Sequence, residues 1–95
     1  MELDYPVFYW KRHDGAEVDF VIDTPKGIVA IEVKAAERWQ SKFHSGIAKL
    51  KAERRKASKA AFGVYTGKRA LAEEGVRVLP WGDFLRALWD GRVAS

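Results

Sequence analysis

The chain has 95 residues, of which 47% are hydrophobic, a formal net charge of +4 and no cysteine. This length allows one globular domain, predicted to span residues 1–95, and the lack of cysteine excludes disulfides and thiolate metal sites. No apolar run approaches the roughly 20 residues of a membrane helix, and no signal-peptide pattern opens the chain. A soluble, cytoplasmic protein without membrane partners is therefore expected.

The amino-terminal half predicts three strands. An aromatic-rich strand over residues 7–12 precedes two runs of alternating polarity, residues 17–23 and 28–34. The intervening sequence has Pro at the second and Gly at the fourth position of a β-turn, which joins the runs into an antiparallel hairpin over residues 17–34. Loops of two or four residues keep polar and apolar faces apart, whereas loops of three or five residues would mix them.

The carboxy-terminal half adds two helices and two strands. Its pattern predicts a helix near 41–58, a buried strand over 60–66, a short helical turn at 70–75, a strand over 76–79 and a helix near 81–90. The fold class that follows is α/β, with a mixed sheet of about five strands. Two helices scarcely cover both faces of five strands, so exposed apolar surface and a homodimer are expected.

The predicted hairpin carries a polar cluster on one face. Its pairing sets Asp19 opposite Glu32 and Glu17 opposite Lys34, while the other face collects apolar residues: Val18, Phe20, Ile22, Val29, Ile31 and Val33. Two acids directly opposite each other destabilise a strand pair. Either the cluster is an ordinary solvated ion network, or the two carboxylates share a hard divalent cation such as Mg²⁺, with a lysine ammonium beside it.

The helix near 41–58 is strongly basic. Against one acid, Glu53, it carries cations that include Lys42, Lys49, Lys51, Arg54, Arg55 and Lys56. Ion pairs between residues four apart on the helix would need about as many acids as bases, so this excess of basic residues has another role. It indicates either a solubilising face or a surface that contacts phosphates. Because no base-reading element is recognisable, selectivity for nucleic-acid structure is expected over selectivity for sequence.

The spacing of the polar cluster resembles a known motif. Asp19, followed after twelve residues by Glu32-Val33-Lys34, is similar to the core of the PD-(D/E)XK nuclease superfamily, which includes restriction endonucleases and Holliday junction resolvases. Further segments resemble the carboxy-terminal domain of many prokaryotic AAA-type ATPases: Tyr9–Lys11, Gly15–Phe20, Ile31–Lys34, Val64–Gly67 and Val76–Trp81. The likeness covers nearly the whole chain. Val18 replaces the proline of the motif, and residues 1–6 are too short for the acidic helix of many members.

The resemblance implies a restriction endonuclease-like fold and a set of site residues. By similarity, Asp19 and Glu32 would bind Mg²⁺ or Mn²⁺ together with the carbonyl group of Val33. Lys34 would be the catalytic lysine, and Glu17 would replace the acid of the missing helix.

These observations predict a metal-dependent endo- or exonuclease that acts on DNA, including branched or single-stranded forms. The alternative is a nuclease-fold module, weakly active or inactive, that binds nucleic acid or regulates an ATPase domain or partner. A protein-interaction domain is the third hypothesis, and it predicts no salt-sensitive affinity for DNA.

Overall fold

A computed structural model of the chain describes residues 5–54 and 58–93. The strands are β1 (Val7–Lys11), β2 (Glu17–Thr24), β3 (Gly27–Lys34), β4 (Ser58–Tyr65), β5 (Leu71–Glu73) and β6 (Val76–Pro80), and the helices are α1 (Ser45–Glu53) and α2 (Trp81–Trp89). The strands form one sheet in the order β1-β2-β3-β4-β6-β5. Strand β4 runs parallel to β3 and to β6, and the other neighbours are antiparallel. The predicted α/β class with a mixed sheet is confirmed.

The hairpin has the predicted register. Thr24 pairs with Gly27, and the ladder continues regularly to the pair of Phe20 with Ile31. The turn is held by the Thr24 hydroxyl, which donates to the carbonyl of Gly27 at 2.5 Å and accepts from the N–H of Lys26 at 3.2 Å. Gly27 has a φ of +128°, a conformation that side chains with a Cβ rarely adopt. Local turn chemistry therefore sets which residues of the two strands face each other.

The alternation predicted for β2 breaks in the middle of the strand. On the β1 side, Phe8 pairs with Val21 but Trp10 pairs with Val18, so β2 has one residue more than β1 over this interval. Val18 and Val21 consequently lie in the same core cluster. The prediction that Val18 shares a face with Ile22 is wrong, because an extra residue in one strand turns the side chains beyond it to the other face.

Each face of the sheet has its own core and its own helix. On one face, Ile47 and Leu50 of α1 are fully buried against the inward residues of the sheet. On the other face, Phe84 and Ala87 of α2 pack on a second cluster that includes Phe62. The molecule thus has three layers, with the sheet between the helices.

Two elements differ from the prediction. The helix near 41–58 begins as a 3-10 turn, Ser41–His44, and α1 ends at Glu53, because the chain enters β4 at Ser58. Residues 71–73 form β5, where a helical turn was predicted. Glu74 and Gly75 both have positive φ, +52° and +79°, which is typical of a two-residue hairpin turn and accounts for the sixth strand.

Helix α2 leaves part of its face of the sheet uncovered. It packs mainly over β4 and β6. Phe20 and Val33, which were predicted to lie on the apolar face of the hairpin, are therefore 48% and 44% exposed on the same face. Alternation along a strand predicts the face on which a side chain lies. Whether that side chain is buried depends on which helix covers that face of the sheet.

Candidate functional site

Asp19 and Glu32 meet where the regular pairing of the hairpin ends. Asp19 lies just beyond the last regular pair, Phe20 with Ile31, and its Oδ2 accepts a hydrogen bond from the N–H of Val33 at 2.8 Å. The Asp19 carboxyl group is also hydrogen-bonded to that of Glu32. The irregularity in β2 thus takes Asp19 out of the ladder but keeps its side chain beside Glu32.

Glu32 is a buried acid with an altered protonation equilibrium. The residue is only 4% exposed. Burial, the hydrogen bond to Asp19 and the charge of Asp19 raise the pKa of Glu32 to about 8, although the nearby charge of Lys34 lowers it. With this pKa, Glu32 holds a proton at neutral pH, and its carboxyl group can donate that proton in the hydrogen bond to Asp19.

Trp39 forms a wall beside this pair, and sequence reasoning assigned it no role. Glu32 is paired with Gly63 of the parallel strand β4, so the two positions are neighbours on one face of the sheet. A Cβ atom at Gly63 would lie 2.5 Å from the indole ring of Trp39. The ring therefore fits against the sheet next to Glu32 only because position 63 is glycine. The indole thus covers the position next to Glu32 on this face of the sheet.

Lys34 ends β3 close to the two carboxyl groups. Its Nζ lies over the ring of Phe43, a residue of the 3-10 turn, at 5.3 Å from the ring centre. The Phe43 ring in turn packs edge-on against Trp39 with 5.1 Å between centroids. The aromatic side chains thus hold the ammonium on the side of the site where Glu32 lies, and its charge acts on that acid.

Glu17 is placed differently from the prediction. It was expected to pair with Lys34, but the regular ladder ends at Phe20, and Glu17 accepts a hydrogen bond from the Tyr9 hydroxyl. This hydrogen bond raises the pKa of Tyr9. Glu17 still adds its negative charge to the field at Glu32. Its carboxylate lies at the exposed edge of the site and is held there by Tyr9, a partner that the sequence did not indicate.

The predicted basic surface is divided between different environments. Lys42 is exposed on the 3-10 turn, next to Phe43 in the chain. Lys49 forms an ion pair with Asp14 at 3.7 Å, and Lys51 extends towards the turn at Gly75. Arg54 is exposed just after α1. Two further predicted contacts lie outside the described residues: Arg55 and Lys56.

Other cations adjoin the site at the carboxyl ends of the parallel strands. Arg38, Lys68 and Arg69 line two neighbouring depressions, with volumes of about 330 and 710 Å³. Trp39 also lines the depression of about 710 Å³, and its indole ring lies against Gly63, the neighbour of Glu32 in the sheet. These residues come from two loops that are distant in sequence, and no pattern along the chain indicated that they would meet.

Within residues 5–54 and 58–93, His44, Glu73 and Glu74 form another group of potential metal ligands. Both ring nitrogens of His44 are already used, since Nε2 accepts from the indole N–H of Trp39 at 2.7 Å and Nδ1 lies 2.8 Å from Glu74. A metal bound at either nitrogen would break one of these hydrogen bonds. The hydrogen bonds of His44 therefore connect the 3-10 turn to the turn between β5 and β6.

The carboxyl pair suits a hard divalent cation better. Its donors are carboxylate oxygens, which favour Mg²⁺ or Mn²⁺. The proton on Glu32 reduces the repulsion between the two acids, and a cation can meet the same need when it displaces the proton. The predicted role of Val33 was a carbonyl group that binds the metal; the contact seen in the structure is a different one, the N–H of Val33 donating to Oδ2 of Asp19.

The comparisons with known proteins place the chain in a family. In the part of the chain that the structure describes, no helix is long and apolar enough to span a membrane, since α1 and α2 have nine residues each. No curated protein and no solved structure matches the chain. One family model, described as "Domain of unknown function (DUF4143)", matches residues 1–84. This domain is found in AAA-ATPase-associated proteins, in agreement with that part of the resemblance. The chain therefore belongs to the DUF4143 family.

Proposed function

We propose that this domain is a divalent-metal-dependent nuclease that hydrolyses phosphodiester bonds in DNA and selects its substrate by structure. The observation that supports it most is the convergence of two carboxyl groups and an ammonium group: Glu32, whose pKa is raised to about 8, lies beside Asp19 and within the field of Lys34. A structural ion network on a sheet surface would expose these groups to water. Strongly altered acids beside a specific cation are instead typical of functional sites.

Each residue has a role in this proposal. Asp19 and Glu32 would hold Mg²⁺ or Mn²⁺, and the bound ion would supply the Lewis acidity that lowers the pKa of a water molecule. The N–H of Val33 fixes the carboxylate of Asp19. The Lys34 ammonium would donate hydrogen bonds to a phosphoryl oxygen that gains charge during the reaction. Glu17, held by Tyr9, adjusts the charge at the rim of the site.

Exposed cations around the site would bind the DNA backbone. Lys42 is exposed on the 3-10 turn that carries Phe43, while Arg38, Lys68 and Arg69 line the depressions next to Trp39. Contacts of lysine and arginine with phosphates carry no base information. Substrate preference would then depend on the shape of branched or single-stranded DNA.

The test is a cleavage assay with paired variants. The protein is incubated with branched, single-stranded and linear duplex DNA in Mg²⁺, Mn²⁺ or EDTA. Asp19→Asn is compared with Asp23→Asn, an exposed acid on the same strand, and Lys34→Gln is compared with Lys26→Gln in the hairpin turn. Loss of a group that acts on the reacting atoms lowers the rate by roughly 10²- to 10⁴-fold.

We expect cleavage that requires a divalent metal, is lost in Asp19→Asn and Lys34→Gln, and persists in both control variants. Cleavage in EDTA, or equal activity in all four variants, would contradict the assignment of the site.

The second candidate is a nuclease-fold module that binds nucleic acid, or regulates an ATPase, without cutting. The burial of Glu32 favours it, because a residue that is 4% exposed gives a metal ion and a phosphate little access. This hypothesis predicts salt-sensitive DNA binding in EDTA and no cleavage with any metal. Binding should then be unaffected by Lys34→Gln and weakened when the exposed cations are replaced.

A further inference from the structure

The face of the sheet that carries α2 has an apolar groove next to the helix. The groove has a volume of about 380 Å³. Trp81, Phe84, Leu85 and Leu88 of α2 form one wall. The floor and the other wall are formed by apolar side chains of four strands: Val7, Phe20, Ile22, Ile31, Val33 and Val64. The carboxyl pair and its aromatic wall are not part of this lining, so the groove is separate from the candidate site.

The uncovered part of the sheet has the width of one helix. Helix α2 packs mainly over β4 and β6, and the groove extends over β3, β2 and β1. Neighbouring strands are about 4.8 Å apart, so these strands span about 10 Å, which equals the diameter of a helix with its side chains. The space beside α2 therefore fits a second helix packed against both α2 and the sheet.

Helix α2 itself carries the apolar stripe that such a space requires. Trp81, Leu85 and Trp89 are four residues apart on one side of the helix and are 58%, 51% and 71% exposed. Rows of this spacing form the ridges by which two helices pack. Trp89 is the most exposed of the three and is not part of the groove lining, and the groove has the volume to receive an indole ring from another copy. One face of the protein thus carries both a projecting row and a matching groove.

We propose that this face binds a second copy of the chain in a two-fold symmetric dimer, with α2 of each copy in the groove of the other. Two-fold symmetry requires a patch that is complementary to itself, which the row and the groove together provide. The exposed parts of Phe20, Val33, Leu85 and the two tryptophans sum to apolar area on the order of 500 Å². A standard interface buries about 800 Å² per partner, roughly 65% of it apolar in homodimers, so the patch is large enough.

The experiment is sedimentation equilibrium of the whole chain over a wide range of concentration, with two matched substitutions. Leu85→Glu places a charge at the centre of the proposed interface. Leu71→Glu makes the same change at an exposed leucine of β5, outside the groove. We expect a mass of twice 10.8 kDa for the wild type and for Leu71→Glu. Leu85→Glu should raise the dimer dissociation constant at least about 30-fold, the effect of a central interface residue.

Cysteine cross-linking tests the geometry. The chain has no cysteine, so single substitutions report on one position each. Leu85→Cys should form a covalent dimer on oxidation, because the two α2 helices lie side by side, whereas Leu71→Cys should not. A wild-type chain that stays monomeric at all concentrations would overturn the proposal and leave the groove to a helix from another protein. A dimer that Leu85→Glu does not weaken would overturn it as well.

Discussion

Replacement of Glu32 by glutamine should remove most of the dependence of stability on pH between about pH 5 and 8. The pKa of Glu32 is raised from 4.5 to about 8 in the folded chain. Between these values the folded state binds more protons than the unfolded state, so the free energy of unfolding falls as the pH rises. At about 1.4 kcal/mol per pH unit, the wild type should lose on the order of 4 kcal/mol over this interval. The amide of Glu32→Gln stays neutral, so the variant should show little of this loss.

The assay is urea denaturation at several pH values from about 5 to 9, with free energies obtained by linear extrapolation. Asp23→Asn removes an exposed carboxylate from the same strand and should keep the pH dependence of the wild type. At about pH 8.5, Mg²⁺ or Mn²⁺ at a hundred times its dissociation constant should restore roughly 2.7 kcal/mol to the wild type but not to Glu32→Gln. If wild type and Glu32→Gln lose stability with pH in parallel, Glu32 does not hold the proton and the reasoning is wrong.

Three further changes test the surroundings of the site. Gly63→Ala should destabilise the fold by about 1–3 kcal/mol, since its methyl group overlaps the Trp39 ring, and tryptophan fluorescence should shift as water reaches the indole. Gly46→Ala should also destabilise, measured by thermal unfolding, because a Cβ there overlaps the backbone carbonyl of Glu17 and forces α1 away from β2. Lys42→Gln should reduce the slope of log affinity for DNA against log salt by about one, measured in EDTA, if this lysine contacts one phosphate. An unchanged slope would show that Lys42 does not contact a DNA phosphate.

The hairpin could be predicted from the sequence because its determinants are local. Alternation over eight residues and a turn with Pro25 and Gly27 define the pairing, and the structure has that pairing from Thr24 to Phe20. The predicted pairing fails at the next residue, Asp19. Here the register of β2 is set by its pairing with β1, the strand on its other side. A strand with two neighbours must satisfy two registers, and the extra residue that reconciles them has no signature along the chain.

Strand β5, which makes the sheet six-stranded, was not predicted, for a different reason. Leu71–Glu73 is too short for periodicity to distinguish a strand from a helical turn. The informative residues were Glu74 and Gly75, whose positive φ values close a tight hairpin. Glutamate is unusual at such a position, so the turn was not recognised.

The sequence by itself determined the α/β class and the register of the hairpin from Thr24 to Phe20, since these follow from alternation and turn chemistry over fewer than twenty residues. Only the tertiary structure decided that Glu32 is buried and that its pKa is raised, that Trp39 lies against Gly63, and that α2 leaves an apolar groove open. The physical reason is that burial, and the pKa that follows from it, depend on which distant segments cover a residue. Those contacts are made through space by loops and helices whose positions no local pattern encodes.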